Sequence, residues 1–344
     1  MTRLAMCGWE SGNANEAGMP YFSTGGSCVQ SVDATGPRNG TYALQCYASN
    51  SPGKGVSYIF FPLPTEPAEV YIRFGVKYFN TFTANRFTLL GLYDGSTLQI
   101  GVCPDQVGPK VGVYRGTTLL GTVPMLSETW TCVEMRVKIH SSAGVVTVWY
   151  NGVQVFDFSG NTQSSANAKT NGVIIGVKDH DEYFIGKVYV DDFAINDTTG
   201  SVNNSRIGQG GIFPLFPTAD TTVTSLTPST GTDHYALVDE NPPSDADYVQ
   251  ANTPGYQDLY ALADLATAAQ IDAVAVTGRM LAVNGAGAPA TLVARSGASI
   301  TNLTTRYLDG SARYFTDIME TDPNGTIPWT LAAVNSLQVG VAVL

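Results

Sequence analysis

Charged side chains and long apolar runs are both scarce in this sequence. Charged residues make up 14% of its 344 residues, and no stretch reaches the roughly 18 apolar residues that a transmembrane helix needs. The apolar run at the N-terminus is too short for a secretory signal peptide, and Glu10 and Glu16 follow it closely. We therefore expect a soluble chain made in the cytoplasm, without insertion into a membrane.

Lysine is missing from the last part of the chain, where none follows Lys187. Up to Gly200 there are 16 acidic and 13 basic residues, and after it 13 acidic and 5 basic, which gives the net charge of -11. Nucleic acids and anionic membranes are bound through basic surfaces. The charge distribution therefore argues against both partners.

The cysteines are not spaced as in a metal site or in a disulfide framework. The five cysteines are odd in number, show no CxxC motif and all lie before residue 133. This pattern predicts buried free thiols, and it leaves a bridge between Cys28 and Cys46 open.

Alternating strands are what the sequence does contain. Between Trp130 and Ile139, apolar and polar residues alternate strictly, as in a half-buried strand. Asn151-Gly152 separates two further apolar runs and predicts a type I′ hairpin. Val70–Tyr78 alternates equally clearly and is expected to be a central strand.

The order of these segments resembles a known fold. A Trp before an alternating strand, an Asn-Gly hairpin, and the late strand Val188-Tyr-Val-Asp-Asp-Phe-Ala-Ile195 are similar to laminin G-like, or concanavalin A-like lectin/glucanase, domains. The resemblance covers roughly residues 1–197. It implies an N-terminal all-β jelly-roll sandwich.

The composition changes after residue 200 and predicts a second domain. We expect the sandwich over residues 1–199, a Gly/Ser/Asn-rich linker over 200–212, and an acidic, β-rich domain over 213–344 with a smaller β-sandwich-like fold. Around residues 259–269 the apolar spacing fits both a helix and a strand.

The second part is similar to a module of tailed-bacteriophage structural proteins. The segments that carry this similarity are Asp197–Asn204, Tyr235–Glu240, Asp258–Tyr260 and Trp329–Asn335. The resemblance implies a virion component.

Paired carboxylates are the first candidates for chemistry in a jelly roll. Related glucanases carry a Glu-x-Asp-x-x-Glu strand, because retaining hydrolysis needs two carboxylates about 5 Å apart. No such pattern occurs here. Asp191 and Asp192 are adjacent, so we expect them on opposite faces of a strand in structural roles.

Metal and nucleophile patterns are also weak. Asp179–Glu182 and the group Asp239, Glu240, Asp245 and Asp247 are acidic loops without a dedicated calcium spacing, and Gly208–Gly211 is interpreted as linker. His140, His180 and His234 form no zinc motif and no GxSxG motif accompanies them. We assign no catalytic, cofactor-binding or metal-binding residue, and no cofactor.

Aromatic residues are the remaining candidates, as stacking surfaces for sugar rings. For the four tryptophans, core packing is the favoured interpretation; they are Trp9, Trp130, Trp149 and Trp329. Tyr93, Tyr114 and Tyr183 are equally suitable as platforms, and the sequence does not choose among them.

These patterns predict a non-enzymatic bacteriophage virion structural protein of the tail, a fibre or a head decoration, with a glycan-adhesion surface on its first domain. The alternatives are a free carbohydrate-binding lectin and, disfavoured by the missing carboxylate pair, a jelly-roll glycoside hydrolase. The expected partners are other virion proteins and host-surface glycans, and the expected assembly is a homo-oligomer, taken as a trimer.

Overall fold

The computed structural model describes residues 2–16, 21–24, 28–48, 56–80, 86–105, 110–178, 186–283 and 287–344. The chain forms two compact units that are not consecutive in sequence. The first contains Met1–Trp9 and Met19–Ile212, and the second contains Glu10–Gly18 and Phe213–Leu344. The predicted boundaries differ from this division at residues 10–18 and at 200–212.

The described part of the first unit contains fifteen strands. In chain order they are β1 (Arg3–Cys7), β2 (Tyr21–Thr24), β3 (Val29–Asp33), β4 (Ala43–Ala48), β5 (Val56–Pro62), β6 (Glu69–Asn80), β7 (Thr88–Asp94), β8 (Thr97–Asp105), β9 (Lys110–Arg115), β10 (Thr118–Pro124), β11 (Thr131–Lys138), β12 (Gly144–Tyr150), β13 (Val153–Gly160), β14 (Gly172–Lys178) and β15 (Gly186–Asp197).

These strands form two antiparallel sheets that pack face to face. Sheet A has the order β13-β12-β11-β6-β15-β4-β3, and β1 pairs with the end of β15. Sheet B has the order β10-β9-β8-β7-β14-β5-β2. The first unit is therefore a two-sheet jelly-roll sandwich, which confirms the predicted all-β fold class.

The core between the sheets follows from the alternation of the strands. Val133, Met135 and Val137 of β11 are at most 1% exposed, and the rings of Phe61 and Phe193 stack across the two sheets with centroids 4.3 Å apart. Such burial is the main source of stability, at about 1.5–3 kcal/mol for each large apolar side chain.

Two local predictions are confirmed. Asn151 and Gly152 have φ angles of 47° and 81° and join β12 to β13, as a type I′ turn requires. The five cysteines, all within the described residues, form no disulfide; four of them are buried as predicted, and Cys28 is only half-buried. Burial raises the pKa of the Cys46 thiol to about 12.

The described part of the second unit is also mostly β. Its elements are β16 (Pro217–Thr224), β17 (Thr227–Pro228), a 3₁₀ helix (Tyr235–Leu237), β18 (Val249–Gln250), β19 (Gln257–Leu262), β20 (Val274–Met280), β21 (Ala288–Ser296), β22 (Ser299–Leu308), β23 (Arg313–Met319), α1 (Leu331–Asn335) and β24 (Gln338–Val343).

A five-stranded sheet C, with the order β16-β19-β24-β21-β22, packs on the β20–β23 ribbon. The ambiguous segment 259–269 is thus a strand up to Leu262 and irregular after it. Trp329 and Met319 lie in the core between the sheet and the ribbon. No helix in the described ranges has the length and hydropathy needed to cross a bilayer.

Candidate functional site

The strand register places a row of polar and aromatic side chains across the outer face of sheet A. Lys77 of β6 lies opposite Tyr189 of β15, Tyr189 lies opposite Gln45 of β4, and Gln45 lies opposite Ser31 of β3. Trp130, just before β11, extends the row on the other side of Lys77. Since neighbouring strands are about 4.8 Å apart, five positions span roughly 19 Å.

A second row lies two residues further along the same strands. Phe79 lies opposite Lys187, Lys187 opposite Tyr47, and Tyr47 opposite Val29. Lys187 and Val29 are exposed, and the two aromatic side chains are half-buried. The two rows form what we call the aromatic–lysine face, which consists of Gln45, Tyr47, Lys77, Phe79, Trp130, Lys187 and Tyr189.

Aromatic rings surround the ammonium group of Lys77. Its Nζ lies 4.8 Å from the ring centroid of Tyr189, 5.0 Å from that of Trp130 and 5.7 Å from that of Phe79. The rings of Phe79 and Tyr189 meet edge to face at 5.6 Å. Cation–π attraction therefore orients the lysine without neutralising its charge.

Hydrogen bonds fix the neighbouring side chains. Tyr189 Oη donates to Gln45 Oε1 at 3.0 Å and lies 3.4 Å from Asp33 Oδ2. Gln45 Nε2 donates to Ser31 Oγ at 2.9 Å. Burial, followed by the Asp33 charge, raises the pKa of Tyr189, so its hydroxyl stays protonated at neutral pH.

A loop between β3 and β4 borders the aromatic–lysine face. The Gly36 carbonyl accepts from Lys77 Nζ at 3.2 Å and from Trp130 Nε1 at 3.1 Å. Gly36 has a φ of +89°, which favours glycine at this position. The loop thus holds both side chains at one border of the face.

Asp191 and Asp192 anchor this loop. Asp191 Oδ2 accepts from the backbone N–H groups of Arg38 and Asn39 at 2.8 and 3.2 Å. Asp192 Oδ2 accepts from Asn39 Nδ2 at 2.7 Å and pairs with the Arg38 guanidinium. Burial, and then the charge of Asp192, raise the pKa of Asp191 to about 8.

The expectation that Asp191 and Asp192 point to opposite faces is wrong. The pairing of β15 with β6 shifts register between Asp191 and Ala194, and Asp192 has a φ of +54°. This bulge rotates the backbone, so both carboxylates reach the same loop. Their structural role as loop anchors follows from these contacts.

Residues 200–212, predicted as a linker, belong to the first unit. Arg206 binds both oxygens of Glu134 at 2.8 and 2.6 Å, and its guanidinium lies 4.5 Å from the ring centroid of Trp149. Gly208 N donates to Glu134 and Ile212 N donates to Asp192. These contacts cover Trp149 on the middle of the outer face.

The other aromatic candidates are less available to a ligand. Trp9 is fully buried, and Trp329 is 5% exposed with its Nε1 bound to the Met319 carbonyl. Tyr93 and Tyr114 are 5% and 8% exposed, and the cations of Lys178 and Arg86 lie 4.4 and 4.5 Å from their respective ring centroids. Tyr183 lies outside the described residues.

The histidines and acidic loops have local structural roles where they are described. His140 Nδ1 accepts from the backbone N–H groups of Ser142 and Ala143. His234 Nδ1 lies 2.6 Å from Asp258 Oδ2 in the second unit, and Asp245 forms an ion pair with Arg279.

Asp179–Glu182, including His180, fall outside the described residues. Among the residues that are described, no three His, Cys, Asp or Glu side chains are arranged to hold a metal ion.

Comparisons with known proteins concern the fold. Neither a protein-family model nor a curated protein matches the sequence. The endo-β-1,4-glucuronan lyase of the fungus Trichoderma reesei is similar with a TM-score of 0.44 and 14% identity, over 57% of this chain and 95% of that chain.

The cellulose-induced protein Cip1 has the same TM-score of 0.44 and 17% identity, over 60% of this chain and 100% of that chain. The alginate lyase Aly36B, in complex with alginate trisaccharide, has a TM-score of 0.37 and 12% identity, over 56% of this chain and 94% of that chain. Two of these three structures are thus polysaccharide lyases, and the identities are too low to transfer a substrate.

These comparisons contradict the prediction that the chain is not an enzyme, since polysaccharide lyases are among the structures similar to it, and they assign it no activity of its own. That prediction depended on the absence of a Glu-x-Asp-x-x-Glu strand, whereas structures similar to this chain include lyases. The carboxylate pair belongs to retaining hydrolysis, and other side chains, tyrosine among them, act as general acids and bases. The missing pattern therefore excludes one kind of hydrolysis and no other chemistry.

Sequence reasoning missed most of the aromatic–lysine face, and named only Trp130. The signal was present, because Lys77 and Phe79 occupy the polar phase of the β6 alternation and Lys187 and Tyr189 that of β15. Aromatic side chains on the solvent side of a strand are the feature that would have drawn attention to them.

Proposed function

We propose that this protein binds carbohydrate through the aromatic–lysine face of its first unit. The observation that carries the proposal is the row Trp130–Lys77–Tyr189–Gln45, which presents half-buried rings beside hydrogen-bonding groups. Aromatic rings with an accessible apolar surface and a polar edge suit ligands that have both apolar and hydroxyl surfaces. Sugar rings have this character, since their C–H groups stack on aromatic faces and their hydroxyls form hydrogen bonds.

The shape of the face favours an extended chain of sugars. A row of roughly 19 Å is longer than one sugar ring, and the face is bordered by the Gly36 loop on one side. Hydrogen-bonding groups recur along it, at Lys77, Gln45 and Lys187. An oligosaccharide lying across the strands would meet rings and polar groups in turn.

We further propose that this binding serves a virion surface protein of a tailed bacteriophage. This part of the proposal depends on the sequence resemblance over Asp197–Asn204, Tyr235–Glu240, Asp258–Tyr260 and Trp329–Asn335. Adhesion to host-surface glycans would be the use of the aromatic–lysine face on such a particle, and other virion proteins would be its partners.

The carbohydrate proposal is tested with the full chain on an array of bacterial capsular and cell-wall polysaccharides, followed by calorimetry on the best ligand. We expect Tyr47→Ala to weaken binding by about fivefold, because one ring contributes about 1 kcal/mol. Tyr71→Ala is the matched control, since Tyr71 lies on β6 at the other end of the same sheet. Equal losses in both variants, or no binding to any polysaccharide, contradict the proposal.

The particle proposal is tested by mass spectrometry of gradient-purified particles from a lysate of the source. We expect the chain to sediment in a fixed ratio to the major capsid protein. A chain that stays in the soluble fractions contradicts the virion role. The protein would then be a free lectin that uses the same binding surface.

A further inference from the structure

We infer that the aromatic–lysine face selects acidic saccharides, those whose sugar units carry carboxylates, and that Lys77 and Lys187 bind the carboxylates. This inference rests on the proposed carbohydrate binding and adds the class of ligand. It follows from the two lysines of the face and from the groups that surround them.

Lys77 and Lys187 have no carboxylate partner among the residues that the structure describes. In the part of the chain that the structure describes, neither ammonium group lies within 4.0 Å of an Asp or Glu oxygen. Asp33 lies beside this face, with its Oδ2 3.4 Å from the Tyr189 hydroxyl. Two uncompensated cations therefore lie together on a chain whose net charge is -11.

Three arginines over the rest of the same outer face are paired with acidic side chains. Ion pairs join Arg136 to Glu69, Arg206 to Glu134 and Arg38 to Asp192. A paired arginine has its charge satisfied within the protein, whereas an unpaired lysine attracts an external anion. Lys77 and Lys187 differ from these three arginines in having no such pair among the described residues.

The rings hold the ammonium groups in place without accepting hydrogen bonds from the lysine N–H groups. Lys77 Nζ donates one hydrogen bond, to the Gly36 carbonyl, and has three N–H groups. Its remaining contacts are with ring faces, and Lys187 Nζ likewise lies 6.0 Å from the ring centroid of Tyr47. Donors thus remain for a ligand, and Lys77 is already held by three rings and the Gly36 carbonyl when it arrives.

The register also separates the two charges along the face. Lys77 lies opposite Tyr189 and Lys187 opposite Phe79, so the lysines are diagonal neighbours on adjacent strands, with backbones roughly 7–8 Å apart. Their ammonium groups lie by different rings, Lys77 near Trp130 and Lys187 near Tyr47. This arrangement fits carboxylates on successive units of a chain better than a single anion.

The test compares acidic oligosaccharides with neutral forms of the same backbone. Oligogalacturonate and oligoalginate, and the carboxyl-reduced form of each, are titrated into the full-length protein by calorimetry. We expect the full chain to bind at least one acidic form about tenfold or more tighter than its reduced form, because hydrogen bonds to a charged carboxylate are stronger than those to a neutral hydroxyl. The preference should shrink as salt is added, since exposed charges are screened.

Substitutions assign the preference to the two lysines. In the double variant Lys77→Gln and Lys187→Gln we expect the acidic and reduced forms to bind with equal affinity. Lys138→Gln is the control and should keep the preference, because Lys138 lies on β11 at the far end of sheet A, opposite Glu69. The melting temperatures of all variants verify that they are folded.

The outcomes distinguish a failure of acid selection from a failure of the proposed carbohydrate binding. If neutral and acidic forms bind the full chain equally, acid selection is wrong and carbohydrate binding stands. If the double lysine variant keeps the preference, the carboxylates bind elsewhere and the inference is wrong. If no saccharide binds in the polysaccharide array either, the proposed function itself fails.

Discussion

Asp191 and Asp192 are consecutive in the chain, and yet both of their carboxylates bind Arg38 and Asn39 of one loop. The two side chains are completely buried. The same loop presents the Gly36 carbonyl to Lys77 and Trp130. The carboxylate pair is therefore connected, through the loop it anchors, to the border of the aromatic–lysine face.

The first prediction concerns the pH dependence of stability. Burial and Asp192 raise the pKa of Asp191 to about 8, whereas an aspartate in an unfolded chain releases its proton near about pH 3.9. Between these values the folded chain binds more protons than the unfolded chain, so stability falls as the pH rises through this window.

Asp191→Asn carries no titrating proton and should lack this decrease. Urea unfolding of both proteins at about pH 5 and about pH 8.5 measures the difference in slope. Asp309→Asn, at an exposed ion pair, is the control and should behave as the unsubstituted chain does. Parallel pH profiles for the chain and Asp191→Asn contradict the raised pKa.

The second prediction concerns the segment over the middle of sheet A. In Arg206→Ala, the carboxylate of Glu134, whose side chain is 2% exposed, keeps the Gly208 N–H and loses both guanidinium contacts. A buried charge that loses such a partner costs about 1–3 kcal/mol in the free energy of unfolding.

The same substitution uncovers one face of the Trp149 ring, which should increase quenching of tryptophan fluorescence by acrylamide. Arg313→Ala is the control for stability, because its pair with Asp309 is exposed and such pairs contribute about 0–1 kcal/mol. Unchanged quenching in Arg206→Ala would show that the segment does not cover Trp149 in solution.

The third prediction concerns a buried network in the second unit. Asp258 is completely buried and accepts from the backbone N–H groups of Ser225 and Leu226 and from the Tyr260 hydroxyl, and it pairs with His234 Nδ1. Asp258→Ala removes the acceptor of the Leu226 N–H and of the Tyr260 hydroxyl and the partner of His234, whereas the Ser225 N–H keeps the Gln257 carbonyl. We therefore expect a loss of about 3–5 kcal/mol.

Chemical denaturation measures this loss. Asp245→Ala removes an acid that is paired with Arg279 at the surface, and it should cost about 1 kcal/mol or less. Equal costs for the two substitutions would mean that the Asp258 network does not hold the loop from Ser225 to His234.

The fourth prediction concerns the close approach of β19 and β24. A Cβ atom on Gly340 would lie 1.9 Å from the Asp258 carbonyl oxygen, which belongs to the backbone and cannot rotate away. Gly340→Ala should therefore force the strands apart and cost about 1–3 kcal/mol or more.

Gly310→Ala is the matched control, since a Cβ there meets only the Ala282 carbonyl oxygen at 3.9 Å. Thermal unfolding of the two variants should show a large decrease for Gly340→Ala and almost none for Gly310→Ala. A tolerated Gly340→Ala would contradict the spacing of the two strands.

The strands of the first unit could be predicted from the sequence, because the residue pattern of each strand shows which of its sides is buried. The alternation of Val133, Met135 and Val137 shows which side of β11 is buried, and Asn151-Gly152 forms its turn by local backbone preference. Both signals are local and need no knowledge of neighbouring strands. The all-β class followed from them, whereas the jelly-roll sandwich was implied by the family resemblance.

The aromatic–lysine face could not be predicted from the sequence, because it depends on the register between strands that are distant in the chain. The alternation shows that Lys77 and Tyr189 both face outward, but their contact requires that β6 pairs with β15 in one register, and a slip by one residue moves every side chain to the other face. The Asp192 bulge is a further example, since a positive φ at an aspartate leaves no periodic signal.

The assignment of residues 10–18 to the second unit has a topological consequence. The polypeptide passes between the units three times, after Trp9, before Met19 and after Ile212. One proteolytic cut within residues 200–212 therefore releases neither unit whole, because Glu10–Gly18 stay covalently attached to the sandwich. A protease that nicks this segment should give two fragments on a denaturing gel that still migrate together under native conditions.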